Sequence, residues 1–144
     1  ELCLALGLWA NVEIKPTRGH ESETGRKVAL AAREIWSGMP PPLLSSFSLE
    51  ALTAACEAAP DLPRGLLVVA PPADWLATCR RLGCVSLHCS RRYFSPQLLG
   101  DAQAAGIPLL VYTVNDPQDA AQLLHQGVAA VFTDRIDLIH DRAA

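Results

Sequence analysis

The sequence has no excess of basic residues, no long apolar run and no paired cysteine motif. Its 12 Lys and Arg residues are outnumbered by 15 Asp and Glu residues, so the net charge is −3. No basic stripe is present, which argues against a nucleic-acid-binding protein. The longest apolar runs, such as residues 66–72, are too short to span a membrane. None of the five cysteines forms a C-x-x-C pair, which argues against a zinc site.

Scattered thiols indicate a reducing compartment, so we expect a cytoplasmic protein. The first residue is Glu1 rather than Met, and residues 1–6 have no signal-peptide layout. We therefore expect that a segment upstream of residue 1 is absent. Half of the 144 residues are hydrophobic, which predicts one globular domain over residues 1–144.

Strand-like and helix-like segments alternate along the chain. The predicted strands lie at 10–15, 43–47, 65–69, 84–88, 108–114 and 128–133, with helices between them at 25–36, 49–59, 73–82, 96–105 and 117–126. Thr24 or Ser22 is the predicted cap of the first of these helices. This alternation, without hairpin signals, predicts a parallel α/β fold. Two architectures fit: an incomplete (β/α)₈ barrel with six parallel strands, or an open doubly wound sheet. No glycine-rich phosphate loop follows a strand, which disfavours the open-sheet nucleotide binders.

The first predicted strand alternates between apolar and polar residues. Ala10, Val12 and Ile14 share one face, and Glu13 and Lys15 share the other. Because parallel strands are covered on both faces, we expect these two charges to be buried, where they are costly unless paired. A divalent cation at Glu13 and a phosphate at Lys15 are the partners we expect. A structural ion pair and a solvated strand end are the alternatives.

Several further polar or aromatic residues stand at predicted strand ends, where parallel α/β folds place their functional groups. Phe47 is either a core residue or a wall of a substrate site. The ring of Tyr112 either packs in the core or lets its hydroxyl reach the site. We interpret His88 as a structural residue rather than a catalyst. Asn115 and Asp116 precede one predicted helix, Thr133 and Asp134 precede another, and these residues are interpreted as caps.

Five blocks of sequence occur in a fixed order. They are Asn11-Val12-Glu13-Ile14-Lys15-Pro16, Ser45-Ser46-Phe47, Arg64-Gly65-Leu66-Leu67, Val111-Tyr112-Thr113-Val114-Asn115, and Gly127 through Phe132-Thr133-Asp134. Together they resemble the glycerophosphodiester phosphodiesterase family, most of all its compact bacterial cytosolic type, over essentially the whole chain. The resemblance implies a (β/α)₈ barrel of the phospholipase C-like phosphodiesterase type. It also implies hydrolysis of small glycerophosphodiesters to glycerol 3-phosphate and an alcohol, in glycerol and phospholipid metabolism.

The resemblance further implies a divalent cation, Mg²⁺ or Ca²⁺, held by three carboxylates, and two histidines that act as general acid and base. Glu13 matches one metal ligand and Lys15 matches a charged phosphate contact, while Phe47 and Tyr112 are the other candidates for substrate binding. The family's opening His-Arg-Gly, Glu-x-Asp and His-Asp blocks do not occur here. We therefore expect no catalytic residue in this chain, which would be a C-terminal piece lacking two βα units.

Alternative interpretations remain at this point. The chain is either an inactive piece of a metal-dependent enzyme or a non-catalytic module of the same ancestry that binds a phosphate compound or a protein. An unrelated parallel α/β enzyme is a third possibility. A barrel without two strands exposes two sheet edges, so we also expect the isolated chain to aggregate, form homo-oligomers through those edges, or shift its strands.

Overall fold

The structure, a computed structural model, describes residues 2–139. Six strands alternate with helices over this part of the chain. The strands are β1 (Asn11–Glu13), β2 (Leu43–Ser46), β3 (Arg64–Val68), β4 (Cys84–Ser90), β5 (Leu109–Tyr112) and β6 (Ala130–Val131). The helices are α1 (Leu2–Ala5), α2 (Glu21–Ile35), α3 (Leu49–Ala58), α4 (Trp75–Leu82), α5 (Pro96–Ala104) and α6 (Pro117–Gln126), with a 3₁₀ turn at Arg91–Tyr93.

The strand order follows the chain order, from β1 to β6, and the pairs β1–β2, β2–β3, β4–β5 and β5–β6 are parallel. This is the arrangement predicted for a (β/α)₈ barrel represented by six of its strands. Two compact units can be distinguished along the chain. The first comprises the chain up to Leu67 with Leu76–Val85, and the second comprises Val68–Trp75 with the chain from Ser86 onward.

The first unit buries one face of its strands against α2 and α3. Ile14 and Leu44 are almost fully buried there, and Val12 packs against the same core. The remaining buried members of this core are Ala29, Ala32, Ala51, Ala55, Ala59 and Leu62. Because side chains alternate along a strand, Glu13 projects from the face opposite Val12 and Ile14. The alternation predicted for the first strand is thus present in β1.

The helices α2 and α3 approach each other closely at Gly25. A Cβ atom at this position would lie only 2.9 Å from the Cα atom of Ala51, and Gly25 is itself buried. The small residues along α3, such as Ala54 and Ala55, are buried too. The sequence therefore uses alanine and glycine to bring two helix backbones together, which a larger side chain would prevent.

The second unit contains β5, β6, α5, α6 and the part of β4 from Ser86 onward. Ser95 caps α5 by accepting a hydrogen bond from the Leu98 amide, and Pro96 follows as the first helical residue. Asp116 caps α6 by accepting from the amides of Gln118 and Asp119. These helix starts are those that the sequence predicts.

Several boundaries differ from the prediction. Helix α2 begins at Glu21, so neither Ser22 nor Thr24 is its cap; Glu21 and Glu23 instead place negative charge in the first turn, which suits the helix dipole. Strands β1 and β6 are shorter than predicted, and β4 extends to Ser90. Pairing with a neighbouring strand sets these limits, and single-sequence patterns do not contain that information.

Candidate active site

Glu13 and Lys15 form an ion pair where β1 ends. The Lys15 Nζ lies 3.4 Å from the Glu13 Oε2, with the Lys15 side chain 76% exposed and that of Glu13 30% exposed. The expectation that both charges are buried is therefore wrong: Lys15 is exposed and Glu13 is only partly buried. The reason is that β1 has one strand neighbour in the described residues and that Lys15 lies beyond its last residue. Water solvates the ammonium group, so burial alone does not require a bound ion.

A cavity of about 400 Å³ opens beside this ion pair. Its lining includes Lys15 and Phe47, which the structure thus brings together, and Phe47 is about half exposed. The rest of the lining consists of Ile14, Pro16, Arg18, Glu21, Ser46 and Ser48. Of the two interpretations of Phe47, core residue or wall of a site, its place in this lining favours the wall.

The two serines of the lining hold the local backbone in place. Ser46 Oγ donates a hydrogen bond to the Ile14 carbonyl at 2.7 Å and accepts one from the Ser48 amide at 3.0 Å. Ser48 Oγ caps α3 by accepting from the Ala51 amide. These bonds tie the end of β1 to the end of β2 and thereby fix the position of Phe47, which lies between the two serines.

Tyr112 lies in the second unit, at the end of β5. Its hydroxyl donates a hydrogen bond of 2.7 Å to the Val68 carbonyl at the end of β3, and the residue is partly buried. The phenol oxygen therefore has a backbone partner.

His88 is completely buried in β4. Its Nε2 atom lies 2.9 Å from Ser86 Oγ, its ring centroid lies 5.3 Å from that of Phe132, and its Nδ1 atom has no hydrogen-bond partner. Burial lowers the pKa of His88 from 6.5 to about 4, because the charged form would lose its hydration. A neutral, enclosed imidazole of this kind fits the structural role that we expected.

The lowered pKa of His88 predicts a pH dependence of stability. The folded state resists protonation until about pH 4, whereas the unfolded chain takes up the proton near pH 6.5. The stability that neutral His88 gives to the folded state is therefore complete above pH 6.5. As the pH falls toward 4, protonation of His88 in the unfolded chain lowers the free energy of unfolding by about 2–3 kcal/mol.

Urea unfolding at pH 7 and pH 4.5 measures this change in the free energy of unfolding. A His88→Leu variant should lose this part of the pH dependence, whereas His125→Gln, an exposed histidine in α6, should keep it. Equal pH dependence in wild type and His88→Leu would refute the prediction.

Asn115 joins the ends of β5 and β6. Its Oδ1 atom accepts hydrogen bonds from Thr133 Oγ1 at 3.1 Å and from the Asp134 amide at 2.9 Å. Its amide group also donates to the Asp134 carboxylate at 3.3 Å. The interpretation as helix caps is confirmed for Asp116, which caps α6. It is wrong for Asn115, Thr133 and Asp134, which form a network between strand ends.

The donor set for a divalent cation is incomplete within residues 2–139. No group of three or more His, Cys, Asp or Glu residues in this part of the chain is arranged to hold a metal ion. The Glu13 carboxylate has hard oxygen atoms of the kind that Mg²⁺ and Ca²⁺ prefer, and such ions require six or more ligands. Metal binding at Glu13 therefore stays a prediction.

Sequence reasoning missed Arg18 and Glu21 as site residues. Both line the cavity, Arg18 from the loop after β1 and Glu21 from the first position of α2. Their closeness to Lys15 in the sequence could have identified them. A short loop keeps its residues near the end of the strand that it follows.

The sequence pattern of the glycerophosphoryl diester phosphodiesterase family matches residues 2–138. The chain belongs to this family. That result confirms the resemblance found in the five sequence blocks. No curated protein sequence matches the chain.

Solved structures support the family fold. A phosphodiesterase from Oleispira antarctica, solved in complex with the product sn-glycerol-3-phosphate, is 36% identical with a TM-score of 0.86, over 91% of this chain and 53% of that one. The glycerophosphodiester phosphodiesterase from Thermotoga maritima is 22% identical with a TM-score of 0.66, over 91% of this chain and 56% of that one. The glycerophosphodiester phosphodiesterase from Parabacteroides distasonis is 20% identical with a TM-score of 0.65, over 88% of this chain and 52% of that one.

The chain thus spans about half the length of these family members. The matches confirm the predicted fold class, an incomplete (β/α)₈ barrel with six parallel strands. Within residues 2–139, no helix has the length and apolar character needed to cross a membrane.

Proposed function

We propose that the chain carries part of the active site of a glycerophosphodiester phosphodiesterase, which hydrolyses glycerophosphodiesters to glycerol 3-phosphate and an alcohol. The observation that carries the proposal is the Glu13–Lys15 pair beside a cavity walled by Phe47. A carboxylate for a cation, an ammonium for a phosphoryl group and an apolar wall for the carbon skeleton are the groups that such a substrate requires. The sn-glycerol-3-phosphate bound to the Oleispira relative supports the same substrate class.

In this proposal each residue has one role. The Lys15 ammonium binds a phosphoryl oxygen as a compact point charge. Phe47 and Tyr112, the two aromatic candidates, contact the substrate through their side chains. Glu13 holds a divalent cation, Mg²⁺ or Ca²⁺, together with ligands from outside residues 2–139. When bound, this ion offsets negative charge on the phosphoryl oxygens.

The proposed chemistry also needs an acid and a base, and we assign neither to the described residues. His88 is enclosed and pairs with Ser86, while His20 is exposed and lies 3.3 Å from the Glu23 carboxylate. General acid–base catalysis requires a group within hydrogen-bond reach of the substrate. We therefore expect this chain alone to bind substrate without hydrolysing it.

Binding and turnover test the proposal separately. Calorimetric titration with sn-glycerol 3-phosphate should show binding, and Lys15→Ala should weaken it about tenfold, since charge-assisted hydrogen bonds contribute about 1.5 kcal/mol or more. Lys27→Ala is the matched control, because Lys27 is equally exposed but pairs with Glu23 instead. When glycerophosphocholine and Mg²⁺ are supplied, the wild-type chain should release no more glycerol 3-phosphate than the Glu13→Ala variant does.

The proposal fails if Lys15→Ala and Lys27→Ala bind sn-glycerol 3-phosphate as the wild type does. Turnover by the wild-type chain above the Glu13→Ala level would show instead that the acid and base are present in it.

A second candidate function is a non-catalytic module of the same ancestry that binds a phosphate compound. One observation favours it: the described residues hold no cluster of three metal-ligating side chains. It predicts that binding of sn-glycerol 3-phosphate is independent of Mg²⁺ and Ca²⁺, whereas the enzyme proposal predicts tighter binding with the cation and loss of that gain in Glu13→Gln.

Self-association through sheet edges also belongs to the proposed behaviour of the chain. In the described residues β1 and β6 each have one strand neighbour, and unpaired strand edges tend to pair with another chain. Light scattering coupled to size-exclusion chromatography should show dimers or larger species. A stable monodisperse monomer would contradict this expectation.

We further propose a cytoplasmic location. The five cysteines are free thiols, and Cys79, Cys84 and Cys89 are buried. Unpaired thiols in this number suit a reducing compartment, where disulfides are rare.

A further inference from the structure

Two charged residues of the cavity have no role in the function proposed above. Arg18 and Glu21 both line it, and neither forms a hydrogen bond or an ion pair through its side chain with another residue in the described part of the chain. Other charges nearby are paired: Glu13 with Lys15, and Glu23 with both His20 and Lys27. The cavity therefore presents one guanidinium and one carboxylate that are both available to a ligand.

A tight turn sets the course of the backbone between these two residues. The His20 amide donates a 2.9 Å hydrogen bond to the Thr17 carbonyl, and Gly19 adopts a φ of 83° inside that turn. Arg18 is thus placed within the turn, while Glu21 begins the rigid helix α2. A positive φ is readily adopted only by glycine, so this backbone course is specified by the sequence. The result is a cation and an anion that face one cavity without neutralising each other.

The other polar groups of the lining are already engaged. Ser46 and Ser48 make the backbone hydrogen bonds that join β1, β2 and α3. Lys15 lies next to Glu13, on the side that we assign to the phosphoryl group. At about 400 Å³ the cavity is large enough for an organic group in addition to a phosphate. Arg18 and Glu21 are therefore the charged groups left to contact the organic part of the substrate.

We infer that Arg18 and Glu21 recognise the alcohol part of the phosphodiester, and that the preferred alcohol carries both a carboxylate and an ammonium group, as a serine head group does. The inference rests on the proposed function. Arg18 offers a planar fork of donors that matches a carboxylate, and Glu21 accepts hydrogen bonds from an ammonium group. An alcohol with an ammonium group alone, such as ethanolamine, satisfies Glu21 and leaves Arg18 unpaired.

Calorimetric titrations in EDTA, which prevents metal-dependent turnover, test this inference. The three probes are sn-glycerol 3-phosphate, glycerophosphoethanolamine and glycerophosphoserine. We expect the serine compound to bind about tenfold more tightly than the ethanolamine compound, which corresponds to one charge-assisted hydrogen-bonded pair.

Two variants separate the roles of the charges. Arg18→Gln should remove the preference for the serine compound and leave the affinity for glycerophosphoethanolamine unchanged. Glu21→Gln should lower the affinity for glycerophosphoserine and for glycerophosphoethanolamine several-fold and leave the affinity for sn-glycerol 3-phosphate unchanged. Arg26→Gln and Glu34→Gln are the matched controls, since both residues are exposed on α2 and neither lines the cavity.

The outcomes distinguish this inference from the proposed function. If sn-glycerol 3-phosphate binds in a Lys15-dependent manner but the serine and ethanolamine compounds bind equally, the inference is overturned and the proposed function stands. If Arg18→Gln and Arg26→Gln reduce the serine preference equally, the effect is one of overall charge and the inference is again overturned. If none of the three probes binds, both the inference and the proposed function are refuted.

Discussion

Replacing Arg64 with methionine should lower the free energy of unfolding by about 3–5 kcal/mol. Arg64 is 5% exposed and has no carboxylate partner in the described residues. Its Nε donates to the Leu82 carbonyl at 3.0 Å, and its Nη1 donates to the Leu62 carbonyl at 2.6 Å. Nη1 also lies 3.3 Å from the Ala59 carbonyl and 3.4 Å from that of Pro60. Methionine fills similar space but leaves these buried acceptors without donors.

The position of these carbonyls explains why the loss is large. Leu82 ends α4, and Ala59 follows the last residue of α3, so Arg64 satisfies acceptors that helix ends leave unpaired. Negative partial charge at helix C-termini also stabilises the guanidinium group. Arg64 thus joins two helix ends to the start of β3.

Urea unfolding of Arg64→Met, followed by circular dichroism, measures the effect. Arg81→Met is the matched control, because Arg81 is an exposed residue of α4, and it should change stability by less than about 0.5 kcal/mol. Arg64→Lys should fall between the two, since one ammonium group cannot reach all of the acceptors. An Arg64→Met variant as stable as Arg81→Met would show that the carbonyls find other donors.

Replacing Gly25 with alanine should destabilise the chain by about 2–4 kcal/mol, because the added methyl group would meet the backbone of α3. The new Cβ would lie 2.9 Å from the Cα atom of Ala51, and a helix backbone cannot yield as a flexible side chain does. The helices α2 and α3 would have to move apart, which exposes part of the core that they share.

The same substitution at Gly100 provides the control. Gly100 lies inside α5, and a Cβ there would have no neighbour within 4 Å. Gly100→Ala should therefore stabilise the chain by about 0.5–1 kcal/mol, through the better helix propensity of alanine. Thermal unfolding of both variants gives the comparison. Changes of the same sign would show that the closeness of α2 and α3 does not decide the result.

The order of strands and helices could be predicted from the sequence because each segment carries local signals. Apolar runs, capping residues such as Ser95 and Asp116, and glycines after helices mark these elements. The limits of β1 and β6 could not be predicted, since they depend on which residues find a strand partner. The start of α2 was misplaced because Ser22 resembles a cap, while the helix in fact begins at Glu21.

The site was predictable only in part. Alternation in the first strand placed Glu13 opposite the core face, and the structure agrees, but the pattern could not show that Lys15 lies beyond the strand in water. Arg18 and Glu21 look like ordinary loop and helix-start residues until the cavity places them together. Arg64 gave no sign that its partners would be carbonyls from two helices, because those partners are up to 18 residues away.

The turn at residues 17–20 has a consequence for how this protein could diversify. Arg18 and Gly19 are exposed there, and the adjoining strand and helix draw their stability from a separate alanine-rich core. Exchanging Arg18 should therefore leave folding intact. If the inference about Arg18 holds, descendants of one scaffold would differ in the alcohol group that they bind while sharing the same core.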